Sequence, residues 1–313
     1  MSEKLIIRLS NEIGNQMFMY ASAYSIARKL NRKLYIDDET AFLLKKNVSK
    51  FGLNSFNISA EFAPNNLKFN NLQGYIKRKF LIKTDFFRTK KKFYIEKKDK
   101  NKVTKYSNQY ERVNFDDNAF LEGHFESEKY FQDYKDEIRK EFEIKNRDPF
   151  KKNPYFNELS KLNSVAICLR QNRFIEGRGQ NTHFNKLKSA NFSAEQINYI
   201  NKSASIIKSM VSGANFFLWT NDFSNIDKSK FNFEYKEVKL DKIDEAVDKR
   251  ILSLFLLEQC NHFIVTTSTF NWWGAWLSRK SDKIILRPSD NLFKDLYLNN
   301  LDFWPQDWKV INA

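Results

Sequence analysis

The sequence predicts an α/β protein made of two doubly wound domains that face one another across a cleft. Its 313 residues correspond to two domains of roughly 150 residues each. Short apolar runs alternate with segments of helical periodicity in both halves, which is typical of parallel sheets covered by helices. Polar residues or glycine follow several apolar runs, at the strand ends where such sheets bind ligands.

The N-terminal half opens as a strand, a glycine turn, a helix and a second strand. Residues 4–9 form an apolar run, Gly14 follows, and apolar residues at helical spacing extend from Met17 to Leu30. Residues 34–36 predict the next strand. The region from 40 to 120 alternates polar and Phe-rich segments and predicts no clear elements. Residues 118–131 resume a strand-like pattern, and a charged helix follows through Phe142.

The second half repeats the alternation of strands and helices. We place the domain boundary between residues 155 and 156, which gives domains 1–155 and 156–313. A strand is predicted at 164–170, and a helix at 192–210 with Ser193 as its N-cap. The further predicted elements are a strand at 214–220, a helix at 246–260, a strand at 262–266, a helix at 271–277 and a strand at 283–286.

Composition excludes several classes of protein. Two cysteines are too few for a disulfide framework or a structural zinc site, and the three histidines are scattered along the chain. The N-terminus has no apolar run of signal-peptide length, and no stretch reaches the roughly 18 apolar residues that span a bilayer. We therefore expect a reduced, cytoplasmic protein without a metal site.

The basic charge calls for an anionic partner or a solvated surface. There are 53 Lys and Arg against 38 Asp and Glu, a net charge of +15, and the densest cluster lies between Lys77 and Lys105. This segment is either a solvated face or a surface that rests on anionic lipid at the inner face of a membrane. Nucleic acid is disfavoured because no compact nucleic-acid-binding motif accompanies the charge.

Four strand-end segments carry candidate binding residues, each with a structural alternative. Arg170 and Asn172 follow a strand and suit a diphosphate, or form an ordinary basic loop, and residues 176–179 suggest a flexible lid. Asp222 suits a nucleoside or caps the next helix. The others are the helix-start residues Gly14, Asn15 and Gln16, and the anion cradle Ser268, Thr269 and Phe270.

The last of these segments continues into three tryptophans. Trp272, Trp273 and Trp276 follow at helical spacing, and we expect two of them in the core. The four segments together indicate a two-domain enzyme for a nucleotide diphosphate compound.

Three longer segments resemble the α-1,2-fucosyltransferase family, family 11 of the glycosyltransferases. They are residues 13–21 (IGNQMFMYA), 121–131 (LEGHFESEKYF) and 268–277 (STFNWWGAWL), and they occur in the family's order over nearly the whole chain. The resemblance implies a GT-B fold, metal-independent inverting transfer and a GDP-sugar donor held by the C-terminal domain. It also implies a glycan or lipid-linked acceptor, as in capsule or lipopolysaccharide synthesis, and no cofactor.

The chain departs from the family at its diagnostic strand-end motif, His-x-Arg-Arg-x-Asp. Cys168, Arg170, Gln171 and Arg173 occupy the four specified positions, so only the first Arg is retained. Such an exchange is not conservative at a bidentate anion site. Three alternatives follow: fucose in another arrangement, a different nucleotide sugar, or a non-catalytic relative that binds glycan or nucleotide.

The implied reaction assigns roles to a few residues. Arg170 and Asn15 are the expected catalytic residues, because with Ser268 and Thr269 they would stabilise charge on the leaving diphosphate. The general base is not evident from spacing. Glu12 borders the first of the resembling segments and Glu126 lies within the second, so both are candidates, with a structural or surface role as the alternative for each.

Overall fold

The chain folds into two compact units. The computed structural model describes residues 3–43, 50–99, 103–175, 180–224, 226–240, 247–289, 292 and 300–312. The first unit comprises Met1–Lys145 and Tyr297–Pro305, and the second comprises Asn146–Leu296 and Gln306–Ala313. The units thus divide earlier than the expected position between residues 155 and 156, and a late segment returns to the first unit.

Aromatic packing explains the earlier division. The rings of Phe150 and Phe156 lie with their centroids 5.6 and 5.8 Å from that of Phe255 in the second unit. Arg147 pairs with Glu258 of the same unit at 3.0 Å. The two short helices after residue 145 therefore belong to the core of the second unit.

The first unit is a five-stranded parallel sheet in the order β3-β2-β1-β5-β4. The predicted strand–helix–strand opening is confirmed, and the region from 40 to 120 contains β3, α2 and β4. The elements are β1 (Lys4–Arg8), α1 (Ile13–Lys29), β2 (Lys33–Asp37), β3 (Glu61–Phe62), α2 (Leu72–Thr84), β4 (Lys91–Ile95), β5 (Phe115–Glu122) and α3 (Lys135–Glu141), with a late helix, Asn300–Phe303.

The second unit is a six-stranded parallel sheet. Its elements are α4 (Asp148–Lys151), α5 (Phe156–Leu159), β6 (Ser164–Leu169), α6 (His183–Met210), β7 (Asn215–Thr220), β8 (Lys236–Glu237), α7 (Lys249–Gln259), β9 (His262–Ile264), α8 (Thr269–Leu277), β10 (Ile285–Pro288) and β11 (Lys309–Ile311). The late helix Asn300–Phe303, which belongs to the first unit, is α9. Read from β8, the order is β8-β7-β6-β9-β10-β11. This is the 3-2-1-4-5-6 order of dinucleotide-binding folds, whose ligands lie where the strand order reverses.

Two helix starts in this unit differ from the sequence prediction. α6 begins at His183, where the Thr182 hydroxyl accepts a hydrogen bond from the backbone N–H of Asn185, so the prediction of Ser193 as its N-cap is wrong. α7 begins at Lys249, capped by Asp248, whereas residue 246 lies outside the described residues.

The Lys77–Lys105 segment forms α2, a turn, β4 and the chain that follows, and residues 100–102 lie outside the described part. Several of its cations are used within the unit. Arg78 donates to both carboxylate oxygens of Glu122, and Lys91 donates to backbone carbonyls, including that of Phe86 at 2.9 Å. Among the described helices, none has the length and apolar composition required to cross a membrane.

Candidate functional site

Polar side chains of the first unit meet where its strand order reverses, between β1 and β5. The Asn11 amide nitrogen lies 2.8 Å from Nε2 of His124. Asn15 donates to Oε1 of Glu126 at 2.8 Å, and Nδ1 of His124 lies 3.6 Å from that oxygen. The loop after β1 and the loop after β5 are thus joined through a carboxylate, an imidazole and two amides.

The backbone of the two loops that carry this cluster adopts uncommon conformations. Asn11 and Phe125 have φ values of 62° and 51°, in the left-handed region that non-glycine residues rarely occupy. At Gly123, an added Cβ would lie 2.3 Å from Cβ of Glu96. Glycine is therefore required for the Glu96 carboxylate to reach the loop after β5.

The Glu96 side chain fastens that loop by hydrogen bonds to its backbone. Its Oε2 accepts hydrogen bonds from the backbone N–H groups of His124 at 2.8 Å and Phe125 at 3.1 Å. Burial raises the pKa of the Glu96 carboxyl above its ordinary value, and the two N–H donors oppose that rise. Glu96 thus positions the two residues that lead into Glu126.

The other residues predicted in this unit have different surroundings. Gly14 lies buried in the first turn of α1, and Glu12 is exposed at its N-cap. Gln16 is fully buried, donates to the carbonyls of Asn11 and Lys50, and accepts from the Gly52 N–H. The expectation that Gln16 contacts the donor is therefore corrected, because its amide is used in fastening two loops.

In the second unit, the strand order reverses between β6 and β9, and the predicted donor residues follow these strands. Arg170 comes directly after β6, and Ser268 and Thr269 follow β9. Gln196 of α6 clamps the Arg170 backbone, accepting from its N–H at 3.2 Å and donating to its carbonyl at 2.8 Å. Arg170 is therefore presented at the edge of the sheet where a dinucleotide-binding fold holds its ligand.

The loop after β9 leads directly into α8. Ser268 occupies the N-cap position, and its side chain makes no capping hydrogen bond. Ser268, Thr269 and Phe270 are each partly exposed at the start of this nine-residue helix. First-turn N–H groups have no acceptor within a helix and attract anions. The start of α8 therefore complements Arg170 as a place for negative charge.

The tryptophans that follow anchor α8. Trp272 and Trp273 are fully buried and Trp276 nearly so, which is one more buried ring than expected. The Trp272 ring lies 5.5 Å from that of Trp308, next to β11. These rings fix the helix start in place and leave the hydroxyl residues at its exposed end.

Asp222 follows β7, the other neighbour of β6, and its carboxylate is held from three sides. Asn172 donates to Oδ2 at 3.0 Å, while the Ser224 amide and hydroxyl donate to Oδ1 at 2.9 and 2.6 Å. Asn172 adopts a left-handed φ of 58°, a conformation that asparagine tolerates better than most residues. The loops after β6 and β7 are thus tied together at Asp222.

The altered motif divides between strand and loop. Cys168 lies inside β6, is 1% exposed, and burial strongly raises the pKa of its thiol. Gln171 is buried, and its side-chain amide donates to the Asp222 carbonyl at 3.1 Å. Cys168 is accordingly a neutral core residue, Gln171 is a loop fastener, and Arg173 is partly exposed. Residues 176–179, where we expected a lid, lie outside the described residues.

Three residues of the polar cluster in the first unit were not predicted from the sequence: Asn11, Glu96 and His124. His124 and Glu126 flank Phe125 in a segment already singled out, so their alternation was the available signal. Glu96 carried no signal, because its contact with residues 124 and 125 depends on the pairing of β4 with β5. Of the other histidines, His183 is exposed, and His262 is buried and accepts from the Ile284 N–H at 3.1 Å.

Within the described ranges, no group of three or more His, Cys, Asp or Glu side chains is arranged to hold a metal ion. In the second unit, Arg170 and the start of α8 are positive groups that could meet a diphosphate. Metal independence itself stays a prediction.

The proteins that resemble this chain include two bacterial relatives and several solved structures. An α-1,2-colitosyltransferase of Escherichia coli is 24% identical over 317 residues, covering 97% of each chain. The O-antigen biosynthesis glycosyltransferase WbnK of Escherichia coli is 24% identical over 295 residues, covering 90% of this chain and 92% of WbnK. The structure of the fucosyltransferase NodZ from Bradyrhizobium is 14% identical, covers 88% of this chain and 92% of NodZ, and has a TM-score of 0.46.

A structure from Arabidopsis thaliana supports the fold. A mutant of Arabidopsis thaliana FUT1 in complex with GDP superposes with a TM-score of 0.50 at 12% identity, covering 99% of this chain and 76% of FUT1. With the two parallel sheets described above, this likeness confirms the expected GT-B-like α/β fold. The sequence model of Glycosyl transferase family 11 matches residues 1–312, which include the described strands of both sheets. Fold and sequence therefore agree, and the chain belongs to glycosyltransferase family 11.

Proposed function

We propose that this glycosyltransferase moves a sugar, fucose in the first instance, from a GDP-linked donor to a glycan hydroxyl with inversion and without a metal. The observation that carries the proposal is Arg170 at the reversal of a dinucleotide-type strand order, beside the strand that leads into α8. The name of WbnK supports a role in O-antigen synthesis, and the name of the colitosyltransferase makes colitose a second candidate sugar.

The second unit would hold the donor. The guanidinium of Arg170 and the first-turn N–H groups of α8 would contact the diphosphate, whose negative charge grows as the bond to the sugar breaks. Asp222 would accept hydrogen bonds from the nucleoside, with its carboxylate already oriented by Asn172 and Ser224. Donor recognition thus rests on loops that follow three neighbouring strands.

The first unit would supply the general base. Glu126 has a side chain 8% exposed and accepts from Asn15, so its orientation is restricted. In the reaction, the acceptor oxygen bonds to the anomeric carbon as the bond from that carbon to the phosphate oxygen breaks. The acceptor proton passes to Glu126, and GDP leaves. His124, in contact with Glu126, would position the carboxylate and stabilise its charge.

A donor panel in EDTA tests this function. GDP-fucose, GDP-colitose, GDP-mannose and UDP-sugars would be offered with a glycan acceptor, and nucleotide release and product linkage would be measured. We expect turnover with one GDP-sugar in EDTA. Turnover with a UDP-sugar, or only after metal is added, would contradict the proposal, and GDP binding without turnover would favour the non-catalytic alternative.

Arg170→Ala, with Arg279→Ala as the matched control, tests the binding role. Arg279 is an exposed arginine just after α8, in the same unit. Losing a charge-assisted contact costs about 1.5–3 kcal/mol, so GDP affinity should fall roughly 10- to 100-fold in R170A. Calorimetric titration with GDP measures this, and equal affinity in R170A and R279A would remove Arg170 from the donor site.

A further inference from the structure

α2 carries an apolar ridge that faces solvent. Leu72, Ile76 and Phe80 recur every four residues and therefore share one face of the helix. Their exposed fractions are 66%, 60% and 65%, and α2 has no buried residue. In the turn after the helix, Phe86 and Phe87 are 83% and 85% exposed.

The opposite face of α2 holds the helix on its unit. Leu81 and Ile82 pack partly buried against the core cluster that contains Phe69, Phe93 and Phe120. The ion pair of Arg78 with Glu122, at the end of β5, adds a second attachment. The ridge is therefore a surface that the fold presents to solvent rather than a frayed part of the core.

Cations flank the ridge on both sides. At 100° per residue, Lys77 lies beyond Phe80 on one side of the ridge and Lys79 lies just beyond Leu72 on the other. Lys83 lies on the ridge line itself, and all three lysines are exposed. α2 contains no Asp or Glu. The next acidic residue, Asp85, is buried and accepts from the backbone N–H groups of Lys92 and Phe93.

We propose that α2 and the Phe86–Phe87 turn dock on an anionic lipid bilayer surface. A protruding ridge of Leu, Ile and Phe flanked by lysines is the composition of helices that lie in the headgroup region with the apolar side inward. A second copy would place lysines against lysines, whereas anionic headgroups complement them. This inference is independent of the proposed transfer reaction, because it concerns a different surface and is tested without activity.

Vesicle co-sedimentation tests the docking surface. The full chain would be mixed with phosphatidylcholine vesicles that contain or lack phosphatidylglycerol. We expect binding to the anionic vesicles, weakened by salt. Phe86→Ser with Phe87→Ser should lower the partition coefficient about tenfold or more. Leu162→Ser, at a leucine 75% exposed in the second unit, is the matched apolar control and should leave it unchanged.

A charge series separates the lysines of the ridge from net charge. K77Q/K79Q/K83Q should reduce binding to anionic vesicles about 100-fold, since each lysine near the surface contributes about 1 kcal/mol. K161Q/K186Q/K202Q removes the same charge from exposed sites of the second unit and should reduce binding far less. Circular dichroism and Tm would confirm that all variants fold.

Three results would overturn the proposal. One is the absence of sedimentation with anionic vesicles at low salt. Another is an equal loss of binding in the control variants, which would indicate attraction by net charge alone. The third is a dimer in size-exclusion chromatography that F86S/F87S converts to a monomer without loss of vesicle binding, which would assign the ridge to a second copy.

Discussion

Glu126, in the loop after β5, accepts a hydrogen bond from Asn15 of α1 and contacts His124. Glu126→Gln keeps the shape and the acceptor oxygen but cannot take a proton at neutral pH. If Glu126 is the base, kcat should fall about 10²- to 10⁴-fold while the affinity for GDP is unchanged. In the wild type, kcat should fall as pH drops through the pKa of the base, and this acid limb should be absent in E126Q.

Glu12→Gln is the matched control, because Glu12 is the other candidate base and lies exposed at the start of α1. Its kcat should match the wild type. A large loss in E12Q together with normal turnover in E126Q would transfer the role to Glu12.

The buried Glu96 carboxyl makes the stability of the folded protein depend on pH. Burial raises its pKa in the folded protein above the ordinary 4.5, so the unfolded chain releases this proton at lower pH. The stability that Glu96 contributes is present below 4.5 and is lost as pH rises through the folded-state pKa. Glu96→Gln keeps an acceptor for the two N–H groups and removes the ionisation. The Tm of E96Q relative to wild type should therefore be higher at pH 7 than at pH 4.

The control for this comparison is Glu111→Gln, at an exposed glutamate of the same unit. A Tm difference between E96Q and wild type that stays constant from pH 4 to pH 7 would contradict the role given to Glu96.

The contact between α7 and α8 depends on one glycine. A Cβ on Gly274 would lie 2.9 Å from Cβ of Leu257, closer than side chains tolerate without a shift of one helix. Gly274→Ala should therefore destabilise the protein by about 1–3 kcal/mol. Denaturant unfolding measures this. Gly52→Ala, whose Cβ would have its nearest neighbours at 3.4 Å, should cost less, and an equal or larger cost there would contradict the assignment.

Helices and strands with an inward apolar pattern were predicted well, and those without one were not. β1, α1, β6 and β7 bury their apolar residues, and each was recognised. α2 was missed because its ridge points to solvent and its inner face has only half-buried residues. The first turns of α6 were missed for the same reason, since Phe184 and Leu187 there are 72% and 55% exposed.

The sequence predicted the position of those candidate residues that follow a strand. Arg170, Asp222 and Ser268 each follow a strand, and three adjacent strands bring them to one edge. Which of the neighbouring polar residues support the fold depends on contacts between distant parts of the chain. The Gln16 side chain, for example, hydrogen-bonds to the backbone of Lys50 and Gly52, and no local sequence pattern predicts these bonds.

Both units place their polar clusters by the same topological rule. In each sheet the first strand lies inside, and the strand order reverses beside it, between β1 and β5 or between β6 and β9. The loops after these pairs carry the Glu126–His124 contact in one unit and Arg170 with the start of α8 in the other. The two parts of the proposed chemistry, proton removal and donor binding, are thus both placed at a reversal of strand order, one in each sheet.

The return of Tyr297–Pro305 to the first unit affects how the protein is made. Asp302 accepts hydrogen bonds from the Tyr106 amide and, through its carbonyl, from the Ser127 hydroxyl at 2.6 Å, and the Phe303 ring lies 6.1 Å from that of Phe18. A ribosome adds about 5–20 residues per second, so these partners emerge many seconds before Asp302. The domain begun first is completed almost last, and until then a nascent chain exposes the surface around Phe18 to chaperones.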